Sequence, residues 1–316
     1  MKKTFLFLSL FIVVTLVACD VSVSVAPSTS PAPLPTNTML QAGVSPIPET
    51  VVPTQIPASV TPIPATIAPS ATPTTLQPSF EGVEVSVDPL SIVLSSGIAS
   101  GARGSQFPRL DGDDVAAWEL TPGHIQLKLE GYALQGKFHE PEILVYPALE
   151  YAQLYPAAFE SMHRLNNTLF DPAAAIRDNL LPLVPFFNAR QLFASNIQVV
   201  SFQNGRGVRF LTEYAQSAAS ANNYELFYHF QGFTSDGTYY VIAILPITAP
   251  VLAETGGTAA ALPPGGIVYP DITAPNVDMQ SYYTAVTDLL NATSPQAFTP
   301  SIDQLDLLIQ SMRITP

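Results

Sequence analysis

The chain has 316 residues, a length that accommodates one to three domains, with 47% apolar and only 12% charged residues. Its net charge is −13, and setting aside Lys2, Lys3, Asp20 and Glu49 leaves 23 acids against 10 bases from Phe80 onward. That balance offers no basic stripe for phosphates, so no nucleic acid partner is expected, and docking on anionic lipid through charge is disfavoured.

Residues 1–18 follow the order of a signal peptide: a positive Met1-Lys2-Lys3, an apolar stretch from Thr4 to Thr15, and small residues before a cut. The apolar run Phe5–Ala18 is about 14 residues, too short to span a bilayer comfortably. Leu16-Val17-Ala18-Cys19 resembles the bacterial lipobox, Leu-x-small-Cys. The resemblance implies cleavage before Cys19, a diacylglycerol thioether on its sulfur and further acylation of the freed amine, with palmitate as the natural tracer. The expected location is the cell membrane, lipid-anchored and facing the extracytoplasmic side. Each buried methylene contributes about 0.8 kcal/mol, so several chains anchor stably. Cys19 is the only cysteine. An intramolecular disulfide and a cysteine metal site are therefore excluded, and a lipidated sulfur is no nucleophile.

Residues 19–79 read as the lipidated cysteine and a linker. From Pro27 to Pro78 about a quarter of the residues are proline, and Glu49 is the only charge. Proline fixes φ and removes a donor, so neither a helix nor a sheet ladder is expected there. The composition predicts a disordered tether with polyproline II bias, roughly 180 Å long when extended and about 45 Å as a coil.

Residues 80–316 change in texture. Val83, Val85 and Val87 alternate as in a strand, which Leu90 to Leu94 resumes after Asp88-Pro89. Ser95 to Asp114 is glycine-rich and polar and reads as loop. Trp118–Leu120 and the alternating Ile125, Leu127 and Leu129 read as strands around Thr121-Pro122-Gly123, and Ile143–Tyr146 as another. Tyr151 to Leu169 is helical in period, interrupted at Pro156, with Leu154, Ala158, Met162 and Leu165 on one stripe. Asp171-Pro172 reads as a cap with proline at the first position of a helix to Leu181.

Ile197–Gln203, Asn204-Gly205 and Gly207–Tyr214 form a hairpin signal, with Asn-Gly suited to a type I′ turn. Tyr224–Thr234, Ser235-Asp236-Gly237 and Thr238–Ile247 form a second one, rich in aromatic and β-branched residues. Thr248 to Pro275 is a long loop, of the kind that is functional or disordered. Two helices close the chain. One runs from Asp278 to Leu290, with Tyr282, Val286 and Leu289-Leu290 on one side. The other starts at Ser301, with Leu305, Leu308 and Met312 as its stripe.

The fold class expected is α+β: a mainly antiparallel sheet with two hairpins, covered by helices. Two hairpins followed by the amphipathic run Leu305-Asp306-Leu307-Leu308-Ile309-Gln310-Ser311-Met312-Arg313-Ile314 resemble PsbP-type domains, a likeness over about Asn196–Ile314 that implies an α/β/α sandwich. Phe138-His139-Glu140-Pro141, Phe202-Gln203-Asn204-Gly205 and Thr234-Ser235-Asp236-Gly237-Thr238-Tyr239-Tyr240 are similar to stretches of bacterial lipoproteins with an uncharacterised extracytoplasmic domain. That group brings no activity with it.

Chemistry is sparsely signalled. Gly-x-Ser-x-Gly is absent, and Ser235 belongs to a turn. His139, Glu140 and Glu142 cannot converge on a metal from one strand, because Glu140 and Glu142 share a face that His139 opposes. Asp111, Asp113 and Asp114 sit in a loop without EF-hand spacing. Glu213 and Glu225 fall on neighbouring strand segments and can approach, while spacing alone identifies no glycosidase pair. Glu160 and His163 read as a surface pair, and His229 as a sheet histidine. Asn204-Gly205-Arg206-Gly207 is a turn and no phosphate loop. No cofactor and no metal is expected. Tyr228, Tyr239 and Tyr240, within an aromatic cluster on the second hairpin, are the candidate interaction surface, together with the long loop Thr248–Pro275. The first reading is a non-enzymatic binding or assembly module that holds a protein partner or cell-wall component near the membrane, to which lipid on Cys19 ties it. The alternative is a cell-wall or glycan hydrolase with unidentified carboxylates.

Overall fold

A computed structural model describes residues 79–315, so the signal peptide, Cys19 and the linker lie outside the described residues. The strand expected from the valine alternation and its resumption after Asp88-Pro89 are both present, as β1 (Val83–Val87) and β2 (Leu90–Leu94), and they turn back on each other as an antiparallel pair. Then come β3 (Gly101–Phe107), β4 (His124–Glu130) and β5 (Glu142–Pro147), followed by helices α1 (Ala148–Leu154), α2 (Pro156–Phe170) and α3 (Pro172–Arg177). Four long strands succeed them: β6 (Arg190–Phe202), β7 (Gly205–Ala215), β8 (Phe227–Thr234) and β9 (Tyr239–Pro246). Helices α4 (Met279–Ala292) and α5 (Ile302–Ser311) and the short β10 (Arg313–Ile314) end the described chain.

The expected α+β class holds. A seven-stranded antiparallel sheet runs β3-β4-β5-β9-β8-β7-β6, and a three-stranded sheet runs β1-β2-β10. Side chains alternate across each strand, so both faces of the large sheet must be covered. Phe210, Phe227, Tyr240 and Ile242 meet Tyr151, Ala158, Met162 and Leu165 of α1 and α2. On the other face, Leu127, Leu211, Tyr228 and Val241 meet Val286, Leu305 and Leu308 of α4 and α5, with Ile92 of the small sheet.

Helix starts follow the cap signals. The Asp171 carboxylate accepts from Ala174 N, Asp278 from Ser281 N, and Ser301 closes a capping box with Gln304. The helix expected to reach Leu181 instead stops at Arg177. Asn179 adopts φ 53°, and the amides of Asn179 and Leu180 return to Ile176 O and Ala175 O, a Schellman ending.

Three further expectations are corrected. The segment read as loop from Ser95 to Asp114 contains β3, whose Gly104 lies against the Val87 side chain so closely that a Cβ would clash. Trp118–Leu120 is no strand, since Ala117–Glu119 forms a single 3-10 turn. The first long hairpin turns at Gln203-Asn204, because Phe202 pairs with Gly205. Neither Asn204 nor Gly205 has positive φ. Tertiary contacts displace the turn by one residue: Gln203 N donates to Met312 O, and Asn204 Oδ1 accepts from Ile314 N. Gly205 is needed there for space, as a Cβ would meet the Phe202 ring and Phe233 O.

Candidate binding groove at the β6 edge

The tyrosines expected to form an interaction surface are placed otherwise. Tyr228 and Tyr240 are fully buried, one on each face of the sheet. The Tyr228 hydroxyl donates to Asp306 Oδ1 at 2.7 Å, and the Tyr240 hydroxyl donates to Gln231 Oε1. Neither is open to a partner, because two covered faces leave no outward side for the central strands. Tyr239 is half-buried at the hairpin end, where its amide donates to Thr234 Oγ1.

The buried charges hold the body together. On β7, Arg209 and Glu213 point to the same face. Arg209 donates to both Asp306 carboxylate oxygens, at 3.1 and 3.2 Å, to Gln198 Oε1 at 2.7 Å, and to Asn196 O. That set fastens α5 to the sheet. Glu213 is fully buried. Its Oε1 accepts from Asn222 N at 2.8 Å, and its Oε2 has no partner. Burial, with Glu225 nearby, pushes the Glu213 carboxyl well above the usual range, against the opposing Asn222 amide. Glu225 reaches the same residue, accepting from Asn222 Nδ2 at 3.3 Å. The two glutamates thus do approach, as separate ties of one structural asparagine, and neither borders the groove described below or the loop cleft.

The opposite face carries a neutral network. Gln231 Nε2 donates to Leu183 O at 2.8 Å and lies 2.7 Å from His229 Nε2. The amide has only donors on that nitrogen, so His229 Nε2 accepts and Nδ1 carries the proton. Burial first, then His139, lowers His229 to about 3; the Ala243 carbonyl opposes this without reaching hydrogen-bonding geometry at Nδ1. Ser161 Oγ lies 2.9 Å from Gln231 Oε1, so an amide separates the serine from the histidine and they form no nucleophile–base pair.

His139 stacks on Phe187 and meets Phe227 edge-on, and burial lowers it to about 4. Glu140 pairs with Lys128 and Glu142 accepts from Gln126 at 2.6 Å, so the three do not converge. Glu160 pairs with Arg164 in place of His163, whose ring lies parallel to Phe159. Asp111 accepts from Arg109. Among the described residues no group of three or more His, Cys, Asp or Glu is placed to hold a metal, and no helix is long and apolar enough to cross a membrane.

The long loop is partly built in. Asn223 ties its start, donating to Ala249 O and Leu252 O at 3.1 Å and accepting from Ala249 N at 2.8 Å. A cleft of about 320 Å³ lies there, between Asn223, Thr248, Leu252, Glu254, Leu262 and Thr299.

A larger concavity, about 1130 Å³, follows the outer edge of β6. On one side, Met279, Tyr283 and Thr287 of α4 line it at intervals of four residues, with Tyr283 parallel to Phe193 at 6.5 Å. On the other side stand Leu181, Leu183 and Ile197. Arg164 and Arg190 border it, and no aspartate or glutamate does. Sequence reasoning missed this groove. The one available signal was the stripe Met279–Tyr283–Thr287, offset from the core stripe Tyr282–Val286–Leu290. No family model, curated protein or solved structure matches the chain.

Proposed function

We propose that this chain is an extracytoplasmic lipoprotein, anchored through lipid on Cys19, whose folded region is a non-enzymatic module that holds a protein or cell-wall component near the membrane. The observation that carries the binding reading is the β6 groove: a concavity of about 1130 Å³ with apolar walls and few charges, the usual form of a recognition site. In support, the deeply buried ionisable groups Arg209, Asp306, Glu213 and His229 tie the body together and stand outside the groove lining.

The test is capture of partners from cells carrying the intact lipoprotein, beside a Thr284→Trp variant. Thr284 is exposed and lines the groove, so the indole fills the space without entering the core. Partners recovered reproducibly with the wild type should be lost with T284W. An identical set from both chains removes the groove from the reading, and no reproducible partner from either removes the binding function. For the anchor, Cys19→Ala should abolish incorporation of radiolabelled palmitate; persistent label disproves lipidation at Cys19.

A further inference from the structure

The groove has a strand edge for its floor. Among the described residues β6 has β7 as its only strand neighbour in the sheet, so there the backbone groups on its outer side between Arg190 and Ala194 have no ladder partner. The open stretch is short. At Asn196 the amide is taken by Asn291 Oδ1 of α4, at 2.6 Å. Register shifts between Gln191 and Phe193, and between Ser195 and Gln198, break the edge again. Such bulges discourage whole sheets from joining edge to edge, which disfavours a second copy of this chain as the occupant. They leave room for a few residues of extended chain.

Charge narrows the class of that chain. The folded region carries 23 acids against 10 bases, yet the groove is bordered by two arginines and no acid. Arg164 is held by Glu160. Arg190 is exposed and makes no ion pair among the described residues. The uncharged polar side chains of Gln191, Gln216 and Gln280 also line the space. They suit the amides of a peptide better than a bare acyl chain, which would leave them without partners.

Resting on the reading of this groove as the module's binding surface, we propose that it takes a short extended peptide bearing carboxylates, which adds to Arg190–Ala194 as an eighth strand. Main-chain hydrogen bonds to the free edge supply affinity, and side chains alternating toward Tyr283 on one side and Leu181 on the other supply selectivity. Arg190 selects negative charge at one end.

The test uses the full lipidated chain in phosphatidylcholine nanodiscs and fluorescence anisotropy of a labelled hexapeptide of alternating valine and glutamate. Its lysine counterpart should bind about tenfold more weakly or worse, and Arg190→Glu should reverse that order. Methylation of alternate peptide nitrogens, which removes ladder donors, should abolish binding. Equal binding of the glutamate and lysine peptides, or of the methylated peptide, overturns the proposal, as does displacement by octanoate at similar concentration, which would make the site one for acyl chains. If no peptide binds while T284W still loses its cellular partners, the extended-peptide assignment fails and the binding module stands. If T284W loses nothing either, the groove drops out of the binding reading along with the peptide.

Discussion

The two faces of the large sheet bury polar groups in opposite ways. Against α4 and α5 lie an ion pair, Arg209 with Asp306, and the buried Glu213 carboxyl beside the β7–β8 connection. Against α1 and α2 lie neutral groups, Ser161, Gln231, His229 and Tyr240, joined in one network. An ion pair fixes a distant segment to a chosen residue, and here it fastens the C-terminal helix to β7. A neutral network satisfies groups already in place. The contrast teaches that α5 depends on one specific bond set, while the α1–α2 layer depends on packing with hydrogen bonds filled in. The residues assign these roles unequally too, since a partly removed ion pair leaves a charge behind and a trimmed neutral network need not.

The sharpest break of that contrast is Arg209→Met. It leaves Asp306 buried beside Tyr228 without its cation, at an expected cost of about 3–5 kcal/mol in urea unfolding. Replacing both partners, Arg209→Met with Asp306→Leu, should recover most of the loss, because the stranded charge is gone. A double variant as unstable as the single one would mean that the ion pair is not what fastens α5.

Titration separates the faces next. His139 and His229 sit at about 4 and about 3, below the usual 6.5. As pH falls through 6.5 the unfolded chain takes protons that the folded chain refuses. Their contribution is therefore complete above about pH 6.5 and is lost as pH falls, down to about 4 for His139 and about 3 for His229. Glu213 is raised, so its contribution is complete below about pH 4.5 and is lost as pH rises through its folded value. Each group adds a limb of at most about 1.4 kcal/mol per pH unit. His139→Phe keeps the stacking on Phe187 and should flatten the acid limb. Glu213→Gln should flatten the alkaline one, with Glu225, Tyr282 and Tyr283, the other titratable groups that face it, left in place. If H139F leaves the acid limb unchanged in unfolding curves taken from pH 4 to 8, burial of His139 is not its cause.

Much of the fold was legible because it is written in local periods and caps. Val83-x-Val85-x-Val87, Asp171-Pro172 and Ser301 with Gln304 each point to one element, and each element is there. What escaped depends on distant contacts. Gly101 and Gly104 resemble loop residues, and β3 exists because β4 supplies the ladder and Val87 fills the space over Gly104. The Gln203-Asn204 turn is set by the C-terminal segment, about 110 residues away in sequence. The tyrosines of the second hairpin carry no mark that both their faces would be covered. The groove was illegible for the same reason: Leu181–Leu183, β6 and α4 meet only after the sheet has formed. Glu213 and Glu225 do approach, but through Asn222 in the turn before β8, where Glu225 lies off any strand; neither that route nor the full burial of Glu213 could be read from strand proximity.

The smallest expected effect tests the neutral face. Ser161 Oγ lies within hydrogen-bonding distance of Leu183 O, Gln231 Oε1 and Tyr240 Oη. Ser161→Ala removes this hydroxyl, yet Leu183 O still accepts from Gln231 Nε2, and Gln231 Oε1 still accepts from Tyr240. No buried group is orphaned, so the cost should be about 1 kcal/mol, that of one net hydrogen bond. The same reasoning makes Arg209→Met several times worse. A loss for S161A as large as that for R209M would show that the network acts as a single cooperative unit. The faces would then differ in charge and no longer in how they hold their layers.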